Sequence, residues 1–528
     1  MKQTPQTKST LISNCISLSM LLLAGALNQA NAAATPPDGK APLLANSLEQ
    51  LQPQAVWQHF YQITQVPRPS HHEEKISAFV TAFGRSLGLE TITDSVGNVI
   101  IRKPASKGYE NRRGVVLQAH MDMVPQKTPD KIHDFQKDPI TAYIKDGWLT
   151  ADRTTLGADD GVGVAIIMAL LQDRNAVHGP LEALFTVNEE DGFSGINALK
   201  ADVLRGDYLI NVDWEVEGVL AIGSAGGVNV DALGKYAQNP PPADTRSYKL
   251  SIAGLQGGHS GVDINKGGGS ASKLLVRLLS SPKAFGVRIA SIEGGDRYNA
   301  IPREATAVLV VPQTQSAGFE KFVSGYEAIV KSELAATEPR LNIVLSEAPL
   351  PPKVMNRPSQ DAMLNALYGS INGVLRMSDG VPGLVETSSS MGILRVGNGQ
   401  WMAGMLVRSA VDSARDDVAQ KLAAVMQLAG AQTTIKAPYS GWRPDPNSPL
   451  LALMKDVYRQ NFGKEAGVVA VHAGLETSVV GAKYPKMDMI SMGPTLIDVH
   501  SPDERLEIDT VGKAYTLLVE TLKRIPAR

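Results

Sequence analysis

The run Gly114–Asp122, GVVLQAHMD, limits the fold more than any other stretch of the chain. Gly114–Ala119 reads as a buried strand that ends in His120-Met121-Asp122. Strand side chains alternate between faces, so His120 and Asp122 point the same way. A histidine beside a carboxylate is the pair that a metal site uses. One ring nitrogen binds the metal, while the other donates to the carboxylate, which fixes the tautomer and raises the basicity of the ligand. An HxD at a strand end is common by chance, so its weight depends on what accompanies it.

Its neighbours alternate between helix and strand. Ser47–Gln65 and Glu73–Leu87 carry helical periodicity, and Gly161–Gln172 is a strongly apolar helix. Further strands are expected at Val99–Arg102, Leu181–Val187 and Tyr208–Val212. This pattern predicts an α/β fold with a central, mostly parallel sheet covered on both faces. After Gly223–Gly227 the character changes. Strands at Lys249–Ile252, Ala305–Val311 and Trp401–Ser409 go with helices at Ala271–Leu279, Phe319–Leu334 and Arg415–Leu428. That is an inserted α+β domain, with no sequence repeat strong enough to prove two similar halves. The expected division is a first catalytic part over 47–226, the insertion over 227–440 and a second catalytic part over 441–528.

Five places along this frame carry candidate chemistry. His120 ends the first strand, and Asp159 with Asp160 precedes the apolar helix. Glu189 and Glu190 follow Leu181–Val187, Asp213 follows Tyr208–Val212, and His500 lies in DVHSPDERL. Each has an ordinary alternative: a helix cap for Asp159 or Asp160, a solvated loop for the glutamates, a turn acid for Asp213 and a loop histidine for His500. What singles them out is their joint position at strand ends, where open α/β sheets place their sites. Nitrogen and oxygen donors in this number make two adjacent metal positions suited to two zinc ions, with manganese or cobalt as substitutes. Glu189 is then left over as a base within reach of a metal-held water.

Composition excludes other classes. The net charge is −2 and aromatic residues make up 5%, which leaves no basic stripe or stacking platform for nucleic acid. Lys2 and Lys8, the apolar run Ile16–Leu27 and Ala30-Asn31-Ala32 form a cleavable signal peptide over 1–32, followed by a linker over 33–46. The run is too short to be a good membrane span, so no stable membrane insertion is expected after cleavage. Cleavage after Ala32 removes Cys15, the only cysteine, so disulfides and thiolate ligands are excluded from the mature chain. A periplasmic or secreted protein is the expectation.

HMDMVP, TTLGADDGVG, the NEEDG loop, INVD, GGHSG, NAIP and HSPDE together resemble the motifs of the di-zinc aminoacylase, carboxypeptidase and dipeptidase family. PRPSHHEE, VHGPLE, VETS, LVRS and HAGLE resemble its aminoacyl-histidine dipeptidase branch. The resemblance implies a zinc-peptidase-like catalytic domain with a lid. It also implies hydrolysis of a short peptide, Xaa-His dipeptides among them, by water held between the metals. His120 and Asp213 would hold one zinc, Glu190 and His500 the other, and Asp159 would bridge them. Asp122 would orient His120, and Glu189 would be the general base. In relatives the equivalent of the Asp159–Asp160 peptide is cis. His259 of GGHSG would donate to the oxyanion, and Asn299 and Arg408 would hold the polar end of the substrate. Three departures bear on the substrate rather than the ligands: Trp214 after Asp213, Ser389-Ser390 after VETS, and Thr477-Ser478 where the branch has Cys-Gly. An aminoacylase or tripeptidase shares the same set, and so does a non-catalytic peptide-binding protein, although that last would not need Glu189. A homodimer is left open.

Overall fold

The strand Val115–His120 lies near the middle of an eight-stranded sheet, in a computed structural model that describes residues 50–281 and 285–528. The signal peptide and linker expected over 1–46 lie outside the described residues. Across the sheet the strands run Glu90–Thr93, Val99–Lys103, Leu181–Thr186, Val115–His120, Tyr208–Asn211, Asp488–Ser491, Val219–Ser224 and Gly467–Val471. The four from Leu181–Thr186 to Asp488–Ser491 are parallel, with Leu117 opposite Ala183 and Ile210. Antiparallel pairs at one edge, and one at Ser491–Ala221, make the sheet mixed around this parallel centre.

Both faces are covered, as the unbroken apolar strands require. Val115, Leu117 and Ala119 join a core with the helices Gln54–Thr64, Ala158–Gln172, Pro449–Phe462 and Ile508–Arg524. Val116, Leu184 and Leu209 face the other way, against Ser194–Ala198 and Glu476–Lys483. Ala158–Gln172 is buried nearly throughout, which explains why it reads as apolar on every side. The first helix among the described residues begins at Gln54, with Pro53 at its N-cap position.

A nine-stranded antiparallel sheet takes its strands from Gly226–Lys235 to Gln432–Tyr439. Ala271–Ser280, Ser316–Glu333, Arg357–Gly369 and Asp412–Leu428 share its core, while Leu233, Val344 and Ile435 are exposed. Alternating strands with one covered face suit the α+β character read from the sequence. The two crossings between the sheets lie side by side. Ser224 and Trp442 exchange backbone hydrogen bonds of 2.9 Å, and Ala225 N–H reaches the carbonyls of Val471 and Ala473. Among the described residues no helix is long and apolar enough to cross a membrane.

Candidate metal centre

The carboxyl ends of the parallel strands meet the loop before Ala158–Gln172, and the candidate residues converge there. His120 Nε2 is 3.0 Å from Asp159 Oδ1 and 3.5 Å from Asp213 Oδ1. His500 Nε2 is 3.1 Å from Asp159 Oδ2 and 2.9 Å from Glu190 Oε2. Two trios with metal-ligand geometry result, His120–Asp159–Asp213 and Asp159–Glu190–His500, which share Asp159; His120, Glu189 and Glu190 form a third grouping. The Asp159–Asp160 peptide is cis. Asp160 does the helix-capping work that either aspartate could have done. Its carboxylate accepts from Gly163 N–H at 3.1 Å and His120 N–H at 3.2 Å. A side chain at residue 163 would collide with that carboxylate, so glycine is needed there.

Asp122 sits behind His120. Its Oδ1 lies 3.4 Å from His120 Nδ1, and its two oxygens accept the backbone N–H groups of Glu189 and Glu190 at 3.0 and 3.3 Å. Ser70 adds a third donor at 2.8 Å. One buried carboxylate thus sets the ring of His120 and the turn that carries both glutamates.

Charge at the centre is out of balance. Burial opposes the imidazolium of His120, yet Asp213, Asp122 and Asp159 outweigh it and hold the group well above its usual range. Burial pushes Glu190 up to about 7 and Asp213 up to about 6, with Asp159 adding to both. Burial likewise holds Glu189 well above the carboxylate range. Glu190 Oε1 is buried without a partner among the described residues. An excess of buried carboxylates with an orphaned oxygen is what a divalent cation would neutralise, so the donor set fits metal.

Several supporting residues escaped the sequence reading. Glu504 accepts the backbone N–H groups of Leu156, Gly157, Ala158 and Asp159 at 2.7, 2.9, 2.7 and 3.2 Å. Arg68, fully enclosed, donates to the carbonyls of Met121, Asp122 and Gly157. Beneath the centre, Glu476 accepts from Gln118 and Thr186, both at 2.6 Å, and Asn211 and Ser491 extend this buried polar row across the sheet. All but Thr186 and Ser491 stand in or beside motifs singled out above. The available signal was a charged residue inside a motif with no role yet assigned.

The second sheet contributes a separate group. Arg408, buried, donates to Tyr439 Oη at 3.0 Å and faces His259 Nε2 at 3.1 Å, and no carboxylate pairs with it among the described residues. His259 Nδ1 accepts from the N–H groups of Gly261 and Val262 at 3.2 and 3.3 Å, which places the ring proton on Nε2. Two donors then face one another with no acceptor between them, and an anion there would serve both. Asn299 is exposed beside this group; its carbonyl accepts from Ser260 N–H at 2.8 Å. His472, seen in the sequence but given no role, bonds Ser388 Oγ through Nε2 at 2.7 Å. A cavity of about 380 Å³ is lined by Asp159, Glu189, Glu190, Asp213 and His500 together with Val262, so the His259 loop borders the carboxylate cluster.

These histidines are held neutral. Burial and then Arg408 push His472 down to about 3 and His259 down to about 4. Once unfolded, each takes up a proton below about pH 6.5, so acid favours the unfolded chain across that window. The stability advantage of the wild type over His472→Asn is therefore expected to shrink by about 3 kcal/mol between pH 6.5 and 4. Paired thermal melts would measure it, and a constant difference would show that His472 is not held neutral.

Fold and site together define an α/β protein built on two large sheets, with an acid-rich candidate metal centre at its strand ends. Residues 116–524 match the model of peptidase family M20/M25/M40. The chain belongs to that family. It is 43% identical over 484 residues to the cytosol non-specific dipeptidase of Escherichia coli, covering 92% of this chain and all of the relative. The crystal structure of an aminoacylhistidine dipeptidase from Vibrio alginolyticus superposes with a TM-score of 0.85 at 39% identity, over 91% of this chain and 98% of that one. A tripeptidase from Staphylococcus aureus shares the fold at 16% identity, with a TM-score of 0.52 over 90% and 99% of the two chains.

Proposed function

We propose that the protein is a metal-dependent dipeptidase that hydrolyses short unblocked peptides, Xaa-His dipeptides among them. The observation that carries this reading is the pair of trios sharing Asp159, with Glu189 beside them. His120 and Asp213 would hold one ion, Glu190 and His500 the other, and Asp159 both. Oxygen and nitrogen donors without sulfur suit zinc, with manganese or cobalt as substitutes. Two such ions, when bound, polarise a carbonyl and make water nucleophilic near neutral pH.

The remaining work belongs to the chain. Glu189 takes the proton from the attacking water and returns it to the leaving amine. Asp122 keeps Nε2 of His120 turned toward the ligands. His259 presents its Nε2 proton to the oxygen that gains charge, and Arg408, with Asn299 beside it, receives the substrate carboxylate. Residues 227–440 serve as a lid over a catalytic domain formed by 47–226 and 441–528. The resemblance to a non-specific dipeptidase and to an aminoacylhistidine dipeptidase favours this substrate class over an aminoacylase or tripeptidase.

The test is hydrolysis of β-Ala-His, Gly-His, Ala-Ala, Gly-Gly-Gly and an N-acetylated amino acid, with and without zinc. Metal-dependent cleavage of the dipeptides supports the reading. Cleavage of the tripeptide or acetylated compound alone would move the protein to another activity on the same centre. Export rests on the leader at 1–32, whereas the E. coli relative is named for the cytosol. Cell fractionation with N-terminal sequencing decides it, and an intact Met1 in the cytoplasm would refute export.

A further inference from the structure

A second cavity, of about 430 Å³, shares the lining residues Trp214, Val262 and Val471 with the one over the carboxylates, so the two adjoin. Val381–Val385 and Val468–Val471 contribute most of the rest of its lining. None of its lining residues is an acid, a lysine or an arginine, and Asn265 and His472 are its main polar groups. The first cavity, by contrast, is lined by Asp159, Glu189, Glu190, Asp213 and Glu215.

This polarity orients a dipeptide. Its ammonium end belongs with the carboxylates, and its carboxylate end with Arg408, next to the His259 donor. Gly261 and His472, which flank those donors, also line the apolar cavity. The side chain of the residue that carries the free carboxylate therefore leads into it.

The geometry points to this side cavity as the pocket for the C-terminal side chain, selecting bulky apolar residues there, on the reading that the protein is a dipeptidase. Trp214, which departs from the family's pattern at the position after Asp213, lines both cavities. Burial of an apolar side chain beside Trp214, Val471 and Leu384 stabilises the bound peptide, whereas a charged one loses its hydration with no partner.

The experiment measures kcat/KM of the metal-loaded protein for Ala-Ala, Ala-Leu, Ala-Phe, Ala-Asp and Ala-Lys, with Leu-Ala and Phe-Ala as reversed controls. Ala-Leu and Ala-Phe are expected to exceed Ala-Ala by about 10-fold or more, with no comparable gain in the reversed series. Leu384→Asp is expected to raise the ratio of Ala-Lys to Ala-Leu by about 10-fold, and Pro382→Asp on the exposed rim provides a second charged variant that does not disturb packing. A flat C-terminal series, a gain that follows the N-terminal residue, or unchanged ratios in folded variants would overturn the assignment while leaving the dipeptidase reading intact. Cleavage of none of the seven would overturn both.

Discussion

Asp159→Ala is expected to purify with neither metal ion, while the wild type retains two. Each oxygen of this carboxylate faces a different histidine, Oδ1 at 3.0 Å from His120 and Oδ2 at 3.1 Å from His500. Removing it takes a ligand from both trios at once. Loss of a partner that only supports a ligand typically weakens metal binding by about 10–100-fold, so loss of a ligand common to two ions is expected to exceed that. Metal analysis after dialysis gives the stoichiometry directly. One tightly held ion remaining would assign Asp159 to a single site.

Glu189→Gln is expected to keep both ions and the fold while kcat falls by roughly 10²–10⁴. Its neighbour Glu190 is turned to His500, at 2.9 Å, and both take their backbone position from Asp122. Burial, with Asp213 and Glu190 adding to it, holds the Glu189 carboxyl high, which suits a group that must keep a proton before passing it on. Single-turnover rates alongside metal content separate the possibilities. A Glu189→Gln variant that loses metal would exchange the roles of the two glutamates, and one that keeps its rate would leave the base elsewhere.

Elements whose pattern is local were legible in the sequence. Val115–His120 and Leu181–Thr186 show themselves as apolar runs because both their faces are buried. The acids that end such strands stand out because the surrounding composition forbids them in the core. Strand order was not legible, since Asp488–Ser491 enters between Tyr208–Asn211 and Val219–Ser224 from far along the chain. Nor were Glu504 and Arg68, whose partners are backbone groups that carry no sequence signature. His472 and Ser388 were visible only as motif members, because their contact joins segments 84 residues apart.

The clasp that Glu504 makes on residues 156–159 has a consequence for biosynthesis. A growing chain that has reached residue 490 already contains His120, Asp159, Glu190 and Asp213. It lacks both the histidine that completes the second trio and the carboxylate that holds the Asp159 loop in place. If these residues hold the metals as proposed, both positions would be complete only once residues 500–504 have docked. On that assignment, metal capture would follow the docking of this segment rather than precede it.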